Sequence, residues 1–501
     1  MSESASTPGA GRLTLRGRRR RDDEPGRPAP SSIPRRECGD LCPLSFSQQR
    51  LWFLEKLNPG SVVYNLPGAV RLEGELDAAA FERALAEVIR RHETLRTTFT
   101  LSDGQPAQRI ADGSRFRLRT IDLSARPEAR RQAEVERLAQ EDDRPFDLER
   151  GPLMRASLVR ISPREHILLF NFHHIIFDGW SANLIVNEIS QLYPAFAAGL
   201  PSPLPELPIQ YADFALWQRR SISGERLAQL LDYWRSQLLP LPRGRLPTDH
   251  PRSADTSGRG GTHTFALDLR LAAALKLLAQ ESGVTLFMLL LAAWQTLLFR
   301  YSGEERISVG SPVANRPRHE TEQLMGFFVN TLVLCTDLSG DPSFGQLLAR
   351  VREVCLGAYA HQELPFEKLV EEIQPDRSPI QTPLFQTWFV LHNTPARSAP
   401  MPGLRVTPFE TERRAAMFDL MLLVQESEDG AACALRYDAD LFEEQTVAGL
   451  AGRFKTLLEE VSRNPSCRLL DIPLESDDAE PPAASDAGGR GADEAEDEFI
   501  F

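Results

Sequence analysis

Hydrophobic and polar positions divide this chain into a patterned middle and two unpatterned ends. Phe81, Leu85, Val88 and Ile89 recur at the 3.6-residue period behind Asp77, a good helix cap, and predict an amphipathic helix. A strand pattern, Ala69-Val70-Arg71-Leu72, comes just before it. The same order returns downstream. Thr264-Phe265-Ala266-Leu267 reads as a strand, and Ala272, Leu275 and Leu278 as the buried side of a helix. The most apolar run, Val284 to Phe299, is interrupted by Thr285, Gln295 and Thr296 and closed by Arg300. It falls short of the ~20 residues of a spanning helix, so it predicts a buried core helix. Ile167 to Phe172 is apolar apart from Asn171 and predicts a buried strand, with a helix following from about Ser181 to Ala197.

These patterns suggest two α/β lobes, 43–245 and 262–475, with a groove between them of the kind in which ligands bind. The stretch 246–261 holds Leu246-Pro247-Thr248-Asp249-His250-Pro251 and Ser257-Gly258-Arg259-Gly260-Gly261, punctuated like an inter-lobe linker. Residues 1–42 are rich in Arg, Pro, Ser and Gly without a hydrophobic period, which predicts a disordered basic arm. Residues 476–501 carry nine acidic side chains against the single Arg490, and end in Glu498-Phe499-Ile500-Phe501. They predict a solvated acidic tail that could also serve as a docking peptide.

Composition narrows the function. The 501 residues carry a net charge of -13, which argues against a general nucleic-acid or anionic-membrane binder. Arg18-Arg19-Arg20-Arg21 has no apolar segment behind it, so no secretory signal is expected. The cysteines at 38, 42, 335, 355, 433 and 467 make no disulfide framework, and Cys38 and Cys42 alone are too few for zinc. A reducing, cytoplasmic setting is expected.

The strongest chemical signal is HILLFNFHHIIFDGWS, His166 to Ser181. Side chains alternate along a strand, so the adjacent His173 and His174 should point to opposite faces. One can then face a cleft while the other is buried, and the two should not share a metal. A neutral imidazole is the natural general base near pH 7. Asp178 either orients the loop through a salt bridge or serves as a plain helix N-cap. Other templates fail. Gly179-Trp180-Ser181-Ala182-Asn183 lacks the closing glycine of a nucleophile elbow, and His92-Glu93 meets Arg96 where a metalloprotease helix needs His.

HHIIFDG resembles the HHxxxDG signature of condensation domains from nonribosomal peptide synthetases, and further motifs follow in the family's order. PLSFSQQRLWFL from Pro43 resembles the first, with Ser47 where Ala is usual. RHETLRTTF from Arg91 and YADFALWQ from Tyr211 resemble the second and fourth. GSPVANR from Gly310 with MGFFVNTL from Met325 resembles the fifth, and HQELPFEKLV from His361 the sixth. SPIQTPLFQ from Ser378 resembles the seventh, with Pro375 where Arg is commoner. The likeness covers about residues 43 to 470.

The resemblance implies two chloramphenicol-acetyltransferase-like lobes in a V, with a tunnel between them. It implies attack of an amine or alcohol acceptor on a donor thioester, which arrives on the phosphopantetheine arm of a carrier protein. No bound cofactor or metal is expected. By position, His174 stands at the reaction centre and His173 is structural. Asp178 is the structural acid, paired with Arg96 or Arg316. Gly179 lets the backbone approach the thioester, and Asn330 and Trp217 line the cleft. The opening motif and the Trp-Ser after Asp-Gly resemble the subclass taking L-configured donors. Phe177, where that subclass often has Ser, hints at an unusual donor. With no adenylation or carrier segment after residue 470, a free-standing enzyme is expected. The alternatives are a coenzyme-A-dependent acyltransferase of the same superfamily, although its DFGWG motif is missing, and a non-catalytic recruiting domain.

Overall fold

The computed structural model describes residues 32–474 except 38, 40, 114–115, 243–245, 253–257, 317, 374–383, 393–400, 410–415 and 428. The acidic tail, Cys38, Pro375 and most of the Ser378 motif therefore lie outside the described residues, as does the arm up to residue 31. The end of that arm is ordered, contrary to the expectation of disorder through residue 42. Ile33 is buried beside Leu207 and Ile209. Arg36 pairs with Glu93 and Asp213, and Leu41–Pro43 adds an antiparallel edge strand to Gln105–Ile110. One apolar anchor and one paired cation are enough to fix a short segment that has no period of its own.

The N-terminal lobe is built on a five-stranded sheet in which Glu165–His173 is central, between Asn65–Gly74 and Met154–Ser162. One face carries the helices Ala78–Arg91 and Gly179–Ala197. All four residues of the predicted apolar face, Phe81, Leu85, Val88 and Ile89, are buried there, and Asp77 caps the first helix through the N–H groups of Ala79 and Ala80. Helix Glu128–Asp142 covers the other face with Val135 and Leu138.

The C-terminal lobe has a six-stranded sheet with helices Leu269–Glu281, Leu286–Ser302, Phe344–Ala360 and Glu444–Arg463 contributing to its core. The apolar run from Val284 is the core helix expected of it: it begins at Leu286 behind the cap Thr285 and ends where Gly303 takes a left-handed φ of 72°. No single described helix is long and apolar enough to cross a membrane. The pair Leu269–Glu281 and Leu286–Ser302 is apolar enough jointly but bends by 104°.

Packing does not follow the expected division at residue 245. Helix Gly224–Leu238 puts Leu230, Trp234 and Leu238 into the C-terminal core. Strand Leu404–Pro408 crosses back and pairs with Asn65–Gly74 as the outer strand of the N-terminal sheet. Gly260 and Gly261, read as linker, already belong to the strand Gly260–Asp268. The lobes are tied together by exchanged elements, which holds the chemistry between them in register.

Candidate active site

Strand Glu165–His173 ends with His173 still paired to Asn65, and the chain then turns through a short 3-10 helix, His174–Ile176. His173 is buried, and its Nδ1 accepts the Ile175 N–H at 3.1 Å. That bond fixes the proton of the neutral ring on Nε2. Burial, with the neighbouring His174, pushes its pKa down to about 3. A histidine held neutral in the core is a structural residue, and its ring stands edge-on to Phe146.

His174 is half-buried and lies against Phe327 of the other lobe, with ring centroids 4.6 Å apart. Its Nδ1 is 2.7 Å from the Phe177 carbonyl oxygen. A carbonyl only accepts, so Nδ1 carries the proton and the lone pair of the neutral ring is on Nε2. The two histidines differ in burial, and their separate hydrogen bonds give them opposite tautomers.

Asp178 fills both roles left open for it. Oδ1 caps helix Gly179–Ala197 by accepting from the Ser181 N–H at 2.8 Å and from its hydroxyl at 2.7 Å. The same carboxylate takes Arg316 at 3.2 Å on each oxygen. Oδ2 also accepts the Phe328 N–H at 3.1 Å. The partner is Arg316. Arg96 bonds the Ala111 carbonyl and lies 3.8 Å from Glu93, away from Asp178. Arg316 spends its other donor on the Thr321 and Leu324 carbonyls and lies over Phe328. Burial lowers its pKa, and Asp178 opposes that shift.

Further partners, not singled out from the sequence, complete a clamp on segment 325–328. The Met325 N–H donates to His92 Nδ1 at 3.3 Å, and the Gly326 N–H to Ser181 Oγ at 3.0 Å. The Tyr211 hydroxyl donates to the Phe327 carbonyl at 2.6 Å. His92 is backed by Glu188, 3.0 Å from Nε2, which also takes Arg91. Burial alone would raise the Glu188 carboxyl, but His92 and Arg91 bring it below the usual range. Gly326 is required here, because a Cβ would stand 2.1 Å from Tyr211 Cδ2 and the backbone φ is 155°. The backbone is thus gripped on both sides of Phe327, which sets its ring against His174. His92 and Tyr211 stand inside recognised motifs, so the motif positions were visible, but their acceptor and donor roles were not.

Two expectations, those for Asn330 and Phe177, need correction. Asn330 does not line a cleft. It is buried, its amide donates to the Gln362 and Leu364 carbonyls, and its oxygen accepts the Phe366 N–H, so every arm is used in splinting helix Phe366–Ile373 to a strand. Phe177 turns away into the core and stacks on Phe172 at 3.9 Å, so it gives no reading of the donor. Gly179 opens its helix without a positive φ. Trp217 is half-buried, packed against Phe214 and 5.5 Å beneath Arg318.

Two mixed α/β lobes thus meet at His174, whose lone pair the Phe177 carbonyl leaves on Nε2. The chain matches the Condensation domain family over residues 39–480 and belongs to it. It is 50% identical over 439 residues to one of the proteins that make up the linear gramicidin synthase of Brevibacillus parabrevis, covering 87% of this chain and 6% of that protein. Phosphinothricin tripeptide synthetase PhsC of Streptomyces viridochromogenes is 41% identical over 447 residues, covering 88% of this chain and 41% of that protein. Among solved structures, the X-domain from teicoplanin biosynthesis aligns with a TM-score of 0.81 at 31% identity, over 88% of this chain and all of that one (100%). The first condensation domain of the calcium-dependent antibiotic synthetase aligns with a TM-score of 0.72 at 20% identity, over 87% and 99%, and shares the fold. The two lobes are the chloramphenicol-acetyltransferase-like pair of condensation domains, as found in nonribosomal peptide synthetases. The chain spans less than half the length of each of these two synthetases.

Proposed function

We propose that this domain joins a carrier-tethered acyl or aminoacyl thioester to an amine or alcohol, with His174 as the base at the reaction centre. The supporting observation is the fixed tautomer: the Phe177 carbonyl holds the His174 proton on Nδ1 and so presents a basic Nε2. The acceptor nitrogen or oxygen attacks the thioester carbon while its proton passes to Nε2. The C–S bond then breaks, and the thiolate leaves with the proton that His174 returns. Thioesters are already activated, so much of the acceleration comes from holding the two tethered partners in attack geometry. The carriers bring substrates on phosphopantetheine arms, and the domain itself binds no cofactor in this reading.

His174→Ala removes general-base help of roughly 10²–10⁴-fold for an alcohol, and less for an amine that is already partly unprotonated. The test is a mass-spectrometric turnover assay with one donor on a carrier protein and, separately, on coenzyme A. Both are offered to a panel of amines and alcohols by wild type and His174→Ala. Product from the carrier-bound donor alone, reduced in the variant, supports the proposal. Equal product from coenzyme A would favour the simple acyltransferase. The X-domain likeness supports a second reading, a recruiting platform, since that domain is found in complex with OxyB. Equal product from wild type and His174→Ala would leave the histidine without the proposed role, and no product from either beyond the uncatalysed rate would favour that platform.

A further inference from the structure

The six-stranded sheet buries one face, with Val309, Phe389, Leu422 and Leu435 among its fully buried residues. The alternate residues Trp388, Met421 and Arg436 point the other way. Arg436 pairs in register with Met421 on one side and Thr262 on the other. Beside it is an opening lined by Gly261, Met417, Phe418, Met421, Arg436 and Tyr437, among others, whose empty space of about 370 Å³ includes open solvent. Gly261 leaves room for the Tyr437 ring, which an added Cβ would meet at 2.2 Å. Phe418 stacks on Trp388 at 4.6 Å, so the apolar wall continues along the sheet.

Arg436 is half-buried, yet no described residue gives it a hydrogen bond or an ion pair. Burial alone lowers its pKa. The nearby Asp419 carboxylate is taken by Arg252, and His392 is disfavoured as a cation by burial and by Arg436 itself. Other desolvated arginines are satisfied: Arg91 by Glu188, Arg155 by the carbonyls of residues 142, 144 and 145, Arg219 by the Leu44 carbonyl and Gln49. A half-buried charge with no partner among the described residues invites a ligand that supplies one.

We propose that this cavity binds a carboxylate attached to an apolar body, the carboxylate on the Arg436 guanidinium and the body against Met417, Phe418 and Met421. The planar guanidinium fork matches a carboxylate in two parallel bonds. The described lining has no second cation, which suits a monoanion better than a phosphate dianion. The proposal stands apart from the role given to His174.

Calorimetric titration of the full chain tests it, with 4-phenylbutyrate, its neutral amide and phenyl phosphate as probes. Saturable binding of the carboxylate is expected, with affinity reduced about tenfold or more for the amide and for Arg436→Met. Without ligand, Arg436→Met and Arg436→Gln should melt no lower than wild type, because they remove an unpaired charge. Equal affinity for acid and amide, unchanged binding by Arg436→Met, or no saturable binding at millimolar probe overturns the proposal. Tighter binding of phenyl phosphate overturns the choice of a carboxylate. A lower melting point in both variants makes the guanidinium a structural element and overturns it as well.

Discussion

Arg316 at the lobe junction and Arg436 on the C-terminal sheet are both partly drawn out of water, yet among the described residues only the first is bonded, through both of its terminal nitrogens. Arg316 meets a carboxylate, two carbonyls and an aromatic face. Arg436 meets a cavity. Burial of a guanidinium is therefore not one feature with one meaning. Paired, it is architecture, fixing the loop after His174 to the segment that carries Phe327. Unsaturated, it is a place where binding energy has been left available. The contrast predicts opposite responses to the same substitution.

The largest effect should come from Arg316→Met. It strands Asp178 as a buried carboxylate still bonded to Ser181 and Phe328, and breaking a buried pair by removing one partner costs about 3–5 kcal/mol. Thermal unfolding should show a large drop. Adding Asp178→Asn should recover part of it, because the uncompensated charge is gone. A single variant that melts like wild type would erase the distinction between the two arginines.

The adjacent histidines repeat the contrast on a smaller scale. His173 has a folded pKa of about 3, far below its unfolded value near 6.5. Between those values the unfolded chain binds a proton that the folded protein does not. Its contribution is therefore complete above about pH 6.5 and falls as pH drops toward 3, by about 1.4 kcal/mol per unit. In His173→Asn the side-chain oxygen can still accept the Ile175 N–H, and nothing titrates there. Urea midpoints measured from pH 6.5 to 5 should fall by about 2 kcal/mol more in wild type than in the variant. Parallel slopes would contradict a buried neutral His173.

Ser181→Ala should come next, at about 1–2 kcal/mol, since it leaves the buried Gly326 N–H without an acceptor and removes one donor to Asp178. Denaturation gives the stability term. Turnover should fall further than global unfolding accounts for, because the clamp sets Phe327 against His174. A stability loss with unchanged kcat would confine Ser181 to the fold.

How much of this was legible depended on whether the interaction was local. The cap by Asp77, the helix through Phe81 to Ile89 and the strand before His173 follow from short-range periodicity, and they form close to where the pattern puts them. Strand alternation anticipated one buried and one less buried histidine, as found, although the strand itself stops at His173. The choice of Arg316 over Arg96 did not, because residues 178 and 316 are separated by 138 positions and meet only when the lobes close on one another. Asn330 and Phe177 were misplaced for a related reason. A polar or aromatic residue inside a motif reads alike whether it faces a cleft or a neighbouring backbone, and only packing tells which. Arg436 carried no sequence signal, since an unpaired arginine is defined by what does not reach it.

The smallest effect, and the sharpest use of the comparison, is expected from replacing each arginine by lysine. At Arg316 one terminal nitrogen bonds both oxygens of Asp178 while the other bonds two carbonyls, and an ammonium cannot reproduce that set. Arg316→Lys should therefore be clearly destabilising. At Arg436 no bond to a described residue is lost, and the lysine stem can cover the same apolar wall while its ammonium turns toward water. Arg436→Lys should change stability by no more than about 0.5 kcal/mol, within the range of ordinary surface changes. Its affinity for 4-phenylbutyrate should nevertheless weaken, because a point charge replaces a two-pronged donor. Melting curves for both lysine variants, with and without the carboxylate, separate a guanidinium that holds the protein together from one that waits for a partner. Equal destabilisation at the two positions would mean that Arg436, like Arg316, is already spoken for.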